Sequence, residues 1–132
     1  MIVLKTKTLT RGAYIYTITH LIDESGDISY LRDKLQEMVK LSDRFTQQER
    51  RELKQRIADY ESGKWHIIAI KVEASIKPRG SSWPEPTVIG RAYFPGIESD
   101  AGDSFITRIE KDMIDEANQE VESLKDALGV CA

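Results

Sequence analysis

The chain has 132 residues, of which 40% are hydrophobic and 31% charged, a composition typical of one globular domain spanning 1–132. Nineteen basic residues against 22 acidic ones give a net charge of −3, which disfavours binding to duplex nucleic acid. The single cysteine, Cys131, excludes an intrachain disulfide framework. No apolar run is long enough for a membrane span and no signal peptide is recognisable, so we expect a cytoplasmic protein.

The N-terminal half predicts a β-hairpin followed by a helical hairpin. Residues 2–9 and 13–22 are rich in β-branched and aromatic residues and are separated by Arg11-Gly12, which favours two paired strands. An apolar period of three to four residues predicts a helix over 29–41. Thr46 and Glu49 have the spacing of a capping box, so a second helix is expected to begin there and to end at Glu61.

The C-terminal half predicts a second hairpin and a long helix. Residues 65–76 alternate between an apolar and a polar face, and the returning strand, 88–94, is expected to end at Pro95-Gly96. An apolar stripe from Ile106 to Leu128 predicts a helix of about 37 Å, long enough to overhang its own domain. The expected class is α+β in the order ββ-αα-ββ-α, with a homodimer or higher homo-oligomer formed along the stripe of the last helix.

The sequence carries no motif of a known catalytic, metal or cofactor site. Its two histidines, His20 and His66, both fall on the apolar side of predicted strands. A metal or acid–base pair with Glu73 is one interpretation, but Glu73 lies on the opposite face from His66. The favoured interpretation is a pair of buried, hydrogen-bonded structural histidines, with no enzyme activity, no metal and no cofactor.

The connection between the last two strands is the strongest candidate for a binding site. Three prolines fall between Pro78 and Pro86, and an eleven-residue hairpin connection is typical of functional or disordered loops. Its glycine and serines could turn successive amides toward an anion, its cations could supply charge, and its tryptophan could stack on a base. The residues concerned are Lys77, Arg79, Gly80, Ser81, Ser82 and Trp83.

Arg91 and Tyr93 extend this candidate site, because they share one face of the strand that leaves the connection. Residues 77–91 contain three cations and one acid, a local charge of +2 on a chain that is otherwise acidic. Such a positive island suits a small anionic ligand better than duplex DNA. The alternative is that Trp83 packs on the sheet and that Arg91 forms an ordinary ion pair with Glu73.

Charged helical surfaces offer two further interpretations. Arg50, Lys54 and Arg56 on the second helix could form another anion site if several chains converge, although a solvated helix face is the simpler interpretation. The acidic residues of the last helix are expected to face water. They are Glu110, Asp112, Asp115, Glu116, Glu120, Glu122 and Asp126.

With its small acidic domain, long C-terminal helix, and Arg79, Trp83 and Arg91 near one loop, the chain resembles the phage Thoeris anti-defence sponge proteins. The resemblance implies sequestration, without cleavage, of a cyclic ADP-ribose-type signal or another cyclic oligonucleotide in the host cytoplasm. The alternative is an acidic protein–protein inhibitor or adaptor that acts through its helical surface, with Trp83 as an interface anchor.

Overall fold

The computed structural model describes residues 2–76 and 87–127, which form one antiparallel sheet and three helices in an α+β arrangement. The sheet order is β1-β2-β3-β4, so the helical hairpin is inserted between the two neighbouring strands β2 and β3. Both predicted hairpins and the order ββ-αα-ββ-α are confirmed. The elements in chain order are β1 (Val3–Arg11), β2 (Tyr14–Ile22), α1 (Ser29–Lys40), α2 (Gln47–Glu61), β3 (Ile67–Ile76), β4 (Thr87–Glu98) and α3 (Asp103–Ala127).

The two faces of the sheet differ, as the alternation in β3 predicts. Ile70, Val72 and Ala74 point to the face on which α3 packs, and all three are completely buried. Gly90 in β4 permits this close approach, because a Cβ atom there would lie only 2.6 Å from the carbonyl oxygen of Ala117 in α3. The helix therefore lies directly on the backbone of β4.

The apolar stripe of α3 packs on the sheet of its own chain. Residues from Ile109 to Val121 on the stripe are buried, whereas Phe105 is 47% and Leu124 is 39% exposed. The middle of the stripe is therefore occupied within the chain, and a contact between chains must use other surfaces or the exposed ends. Homo-oligomer formation itself remains a prediction.

A second apolar cluster lies between the helical hairpin and the start of β3. Ile28, Ile57, Trp65 and Ile67 form its buried centre. The capping box is confirmed: the Glu49 amide donates to the Thr46 hydroxyl at 3.0 Å, and the Thr46 amide donates to the Glu49 carboxylate at 3.4 Å. These local hydrogen bonds fix the start of α2 and hence the packing of Ile57.

Strand β4 does not end at Pro95-Gly96, as the sequence predicts, but continues to Glu98. A register shift opposite Ile68–Ile70 accommodates Pro95 and Gly96 within the strand. Gly96 has a φ of +75°, a left-handed conformation that glycine adopts without strain. Proline is tolerated because β4 is an edge strand, where one side of the backbone has no ladder hydrogen bonds to lose.

Candidate anion-binding site

Of the predicted loop site, only Arg91 and Tyr93 lie within the described residues. Lys77, Arg79, Gly80, Ser81, Ser82 and Trp83 lie outside them. Arg91 follows Thr87, the first residue of β4, by four positions and Tyr93 follows it by six, which corresponds to about 13 Å and about 20 Å along the strand. A ligand that contacts both Tyr93 and the start of β4 must therefore extend along the sheet.

Arg91 and Tyr93 belong to the sheet face opposite α3. The strand registers place Thr8, Thr17, Glu73 and Arg91 side by side in one row across the four strands. The neighbouring row on the same face consists of Thr6, Thr19, Lys71 and Tyr93. We call these eight residues the threonine face; no described helix packs on it.

The charges of the threonine face centre on one carboxylate. The Glu73 Oε2 atom lies 3.6 Å from Arg91 Nε, and its Oε1 atom lies 3.4 Å from Lys71 Nζ. The ion pair that the sequence offered as the alternative role of Arg91 is therefore present. The Arg91 side chain is nevertheless 65% exposed, and two cations share one anion, which leaves the face with a net charge of +1.

Tyr93 borders a shallow pocket at the end of the threonine face. The residue is 53% exposed, and the pocket is lined by Leu21, Ile22, Asp23, Glu24, Ser25, Lys71 and Tyr93. Burial of the Asp23 carboxyl opposes its ionisation, but hydrogen bonds from Ser25 and from the backbone amide of Gly96 outweigh this effect and lower its pKa. Asp23 thus holds the wall of the pocket in place as an anion.

The residues of the predicted second anion site have separate roles in the structure. The Arg56 guanidinium bonds to Glu98 and Asp100 and stacks 3.9 Å from the centre of the Trp65 ring, and the hydrogen bond with Asp100 raises its pKa. Arg50 donates to the carbonyl oxygens of Ser42 and Phe45. Lys54 is exposed. Convergence of these residues between chains remains a prediction, but the charge of Arg56 is already compensated.

The two histidines occupy different environments. His20 is buried in β2, with its Nε2 atom 3.0 Å from the Glu110 carboxylate, as expected for a structural histidine. His66 precedes β3 and is exposed, so the expectation of burial is wrong for this residue. The strand begins one residue later, at Ile67, and Trp65 and Ile67 on either side of His66 are both buried in the second apolar cluster.

Glu110 was expected to face water, and this expectation is wrong. The residue is 5% exposed and lies between His20 and Lys7, whose Nζ atom is 2.9 Å from the carboxylate. The position of Glu110 next to the apolar stripe of the helix was the only signal of its burial in the sequence. The cationic and imidazole partners come from β1 and β2, so sequence periodicity could not identify them.

Lys71 and the threonines are the site residues that sequence reasoning did not select, whereas Glu73 is the ion-pair partner that the sequence offered for Arg91. Lys71 and Glu73 lie beside Tyr93 and Arg91 within the β3–β4 hairpin, whereas the threonines join them through the pairing of β2 with β3 across the inserted helical hairpin. Hydroxyl groups and two cations around one carboxylate can bind an oxygen-rich anion. Within the described ranges, no group of three or more His, Cys, Asp or Glu side chains could hold a metal ion.

Comparison with known proteins gives no relative. No family model, no curated protein and no solved structure matches this chain. Among the helices of residues 2–76 and 87–127, none combines the length and the apolar character needed to cross a membrane.

Proposed function

We propose that the protein is a non-catalytic binding protein that sequesters a small anionic nucleotide signal, of the cyclic ADP-ribose or cyclic oligonucleotide class, as an anti-defence sponge. One observation carries the proposal: the threonine face presents exposed Arg91 and Tyr93 and half-buried Lys71 beside hydroxyl groups, and among its eight residues the two cations share the single carboxylate of Glu73. Guanidinium and ammonium groups bind phosphate oxygens, and a tyrosine ring offers a stacking surface.

The residues of the connection complete the proposed site. Arg79 and Trp83 belong to the chain segment between β3 and β4, which joins the sheet at the strand ends nearest Arg91. Their types suit phosphate and base recognition in the same way as Arg91 and Tyr93. In this proposal the ligand contacts residues of both the sheet and the connection.

Retention of nucleotides tests this proposal directly. The purified protein is incubated with cyclic ADP-ribose isomers and cyclic di- and trinucleotides, the bound fraction is separated and heat-denatured, and the released compound is identified. We expect one compound to be recovered intact. Release of a chemically altered compound would show an enzyme instead, and retention of none would remove the proposal for these ligands.

Two variants locate the site. Arg91→Ala, and Arg79→Ala combined with Trp83→Ala, are each expected to weaken retention by roughly tenfold or more. Arg32→Ala is the matched control, because Arg32 is also an exposed arginine in a single ion pair, with Glu61 at 3.0 Å, but lies on the helical hairpin. Unchanged retention in both site variants would contradict the assignment.

An acidic inhibitor or adaptor remains the second candidate, and the charge of α3 favours it. Eight acidic residues and three basic ones lie between Asp103 and Ala127, and most of the acids are exposed. In that case, reversing exposed acids of α3 would abolish function in cells. The combined Arg79→Ala and Trp83→Ala variant would leave the inhibitor largely intact.

A further inference from the structure

Strand β1 is exposed along its whole length. All nine of its residues are exposed, although they form a continuous ladder with β2. Its exposed apolar side chains, with that of the preceding residue, are Ile2, Val3, Leu4 and Leu9. An edge strand with this much exposed apolar surface is typical of an interaction site.

The position of α3 explains why β1 is uncovered. The helix packs mainly on β3 and β4 and reaches β1 through the ion pair between Glu110 and Lys7, so most of the β1 side of this sheet face is not covered by α3. A groove between β1 and α3 has Leu9, Ile18 and Ile114 among its lining residues, and cations stand along it. These cations are Lys7, Arg11 and Lys111.

Charge is segregated between β1 and the outer side of α3, whereas the groove itself has cations on both sides, with Lys111 on the side of α3. Residues 2–22 contain Lys5, Lys7 and Arg11 and no acidic residue, whereas α3 carries the acidic excess. Asp112, Asp115 and Glu116 stand one turn apart on the outer side of α3, and none has an ion pair within the described part of the chain. Their mutual repulsion would be relieved by a cationic partner.

Pairing of two β1 edges does not supply that partner. Two β1 strands related by a two-fold axis would pair antiparallel, and residues directly opposite each other would then lie on the same face of the joined sheet. The residues of one β1 face would therefore lie opposite the same set in the other copy. This set consists of Lys5, Lys7, Leu9 and Arg11. In every register of this kind that pairs at least about five residues of each strand, a basic residue of one copy lies opposite a basic residue of the other. Like charges in these positions repel, so the edge disfavours pairing with itself.

We propose that β1 and its groove are covered by a second copy of this chain, whose α3 presents its acidic outer side to the cations of β1. The contact is made twice around a two-fold axis, since each chain has one cationic strand and one acidic helix. Leu9, which lines the groove, supplies apolar surface to bury, and the opposite charges orient the two chains. The threonine face lies on the other side of the sheet and stays open.

Charge exchange tests the contact. Lys5→Glu with Arg11→Glu makes the strand acidic, and Asp115→Arg with Glu116→Arg makes the helix basic. Sedimentation equilibrium at low salt is expected to show a dimer for the unmodified chain, with dissociation constants for each double variant roughly tenfold or more higher. An equimolar mixture of the two double variants restores opposite charges at both contacts and is expected to form a heterodimer.

The matched control is Lys34→Glu with Arg51→Glu, which changes the net charge equally on exposed positions of α1 and α2. This control is expected to remain a dimer and to form no heterodimer with the basic-helix variant. Far-ultraviolet circular dichroism verifies that each variant is folded. A monomeric unmodified chain, an unchanged dissociation constant in the double variants, or a monomeric mixture would each overturn the proposal.

Discussion

At the scale of single residues, Glu110 shows how a charged side chain becomes part of the core. Its carboxylate is buried under α3 and bonds to Lys7 of β1 and His20 of β2. These partners link the helix to the half of the sheet that it does not cover. A buried carboxylate without partners would cost several kcal/mol, so the two donors decide whether this position tolerates glutamate.

We expect the stability of the protein to depend on pH through Glu110. Burial opposes ionisation of the carboxyl, but hydrogen bonds and charge from Lys7 and His20 outweigh burial and hold its pKa below the ordinary value of 4.5. A lowered folded pKa means that this contribution is complete above pH 4.5 and is lost as pH falls through the folded value. Urea unfolding at a series of pH values measures this decline.

Glu110→Gln should lower the free energy of unfolding by about 1–3 kcal/mol at neutral pH and reduce its decline in acid. Glu122→Gln is the control, since Glu122 is half-exposed and its Lys125 partner lies at 3.5 Å, so the cost should stay under about 1 kcal/mol. Equal losses of unfolding free energy in both variants would show that the buried contacts of Glu110 with Lys7 and His20 stabilise the fold no more than an exposed ion pair does.

At the scale of elements, the attachment of the helical hairpin depends on Arg56. The Arg56 carbonyl accepts from the Trp65 indole at 2.9 Å, while its guanidinium stacks on the same ring and bonds to Glu98 and Asp100. One residue of α2 therefore joins the second apolar cluster to the end of β4. We infer that this network holds the hairpin against the sheet.

Arg56→Ala should release the helical hairpin before the rest of the fold. We expect a loss of about 1–2 kcal/mol and faster hydrogen exchange of amides in α1 and α2, with exchange in β2 and β3 unchanged. Arg51→Ala, at an exposed position of the same helix, should leave all rates unchanged. Uniform acceleration across the sheet and helices would contradict this local role for Arg56.

At the scale of the whole molecule, a net charge of −3 conceals a cationic strand and an acidic helix. This distribution leads to a prediction about stability as well as association. If a second copy of the chain covers β1, the melting temperature should rise with protein concentration. Each tenfold increase in protein concentration adds up to about 1.4 kcal/mol per dimer to the free energy of unfolding. Differential scanning calorimetry over a range of concentrations measures this dependence.

The dependence of the melting temperature on protein concentration should weaken in added salt, because salt screens the charge contacts between β1 and α3 of the second copy. The variant that combines Lys5→Glu with Arg11→Glu should show almost no dependence on concentration, because its β1 and the α3 of the second copy both carry negative charge. A melting temperature independent of concentration in the unmodified chain would be the contrary result.

Local signals in the sequence predicted most of the elements and the fold class. The strand alternation, the capping box of Thr46 and Glu49, and the three-to-four-residue spacing of the α3 stripe each depend on neighbours within a few positions. These patterns identified both hairpins, the helical pair and the long last helix. The ion pair between Arg91 and Glu73 was also foreseen, since the two residues belong to one hairpin.

Tertiary structure decided what the sequence pattern could not. Glu110 is buried because Lys7 and His20, about a hundred residues away, provide its partners. The threonine face exists because β2 pairs with β3 across the inserted helices. β1 remains exposed because α3 packs on the far half of the sheet. Each outcome depends on contacts between distant segments, which periodicity along the chain does not record.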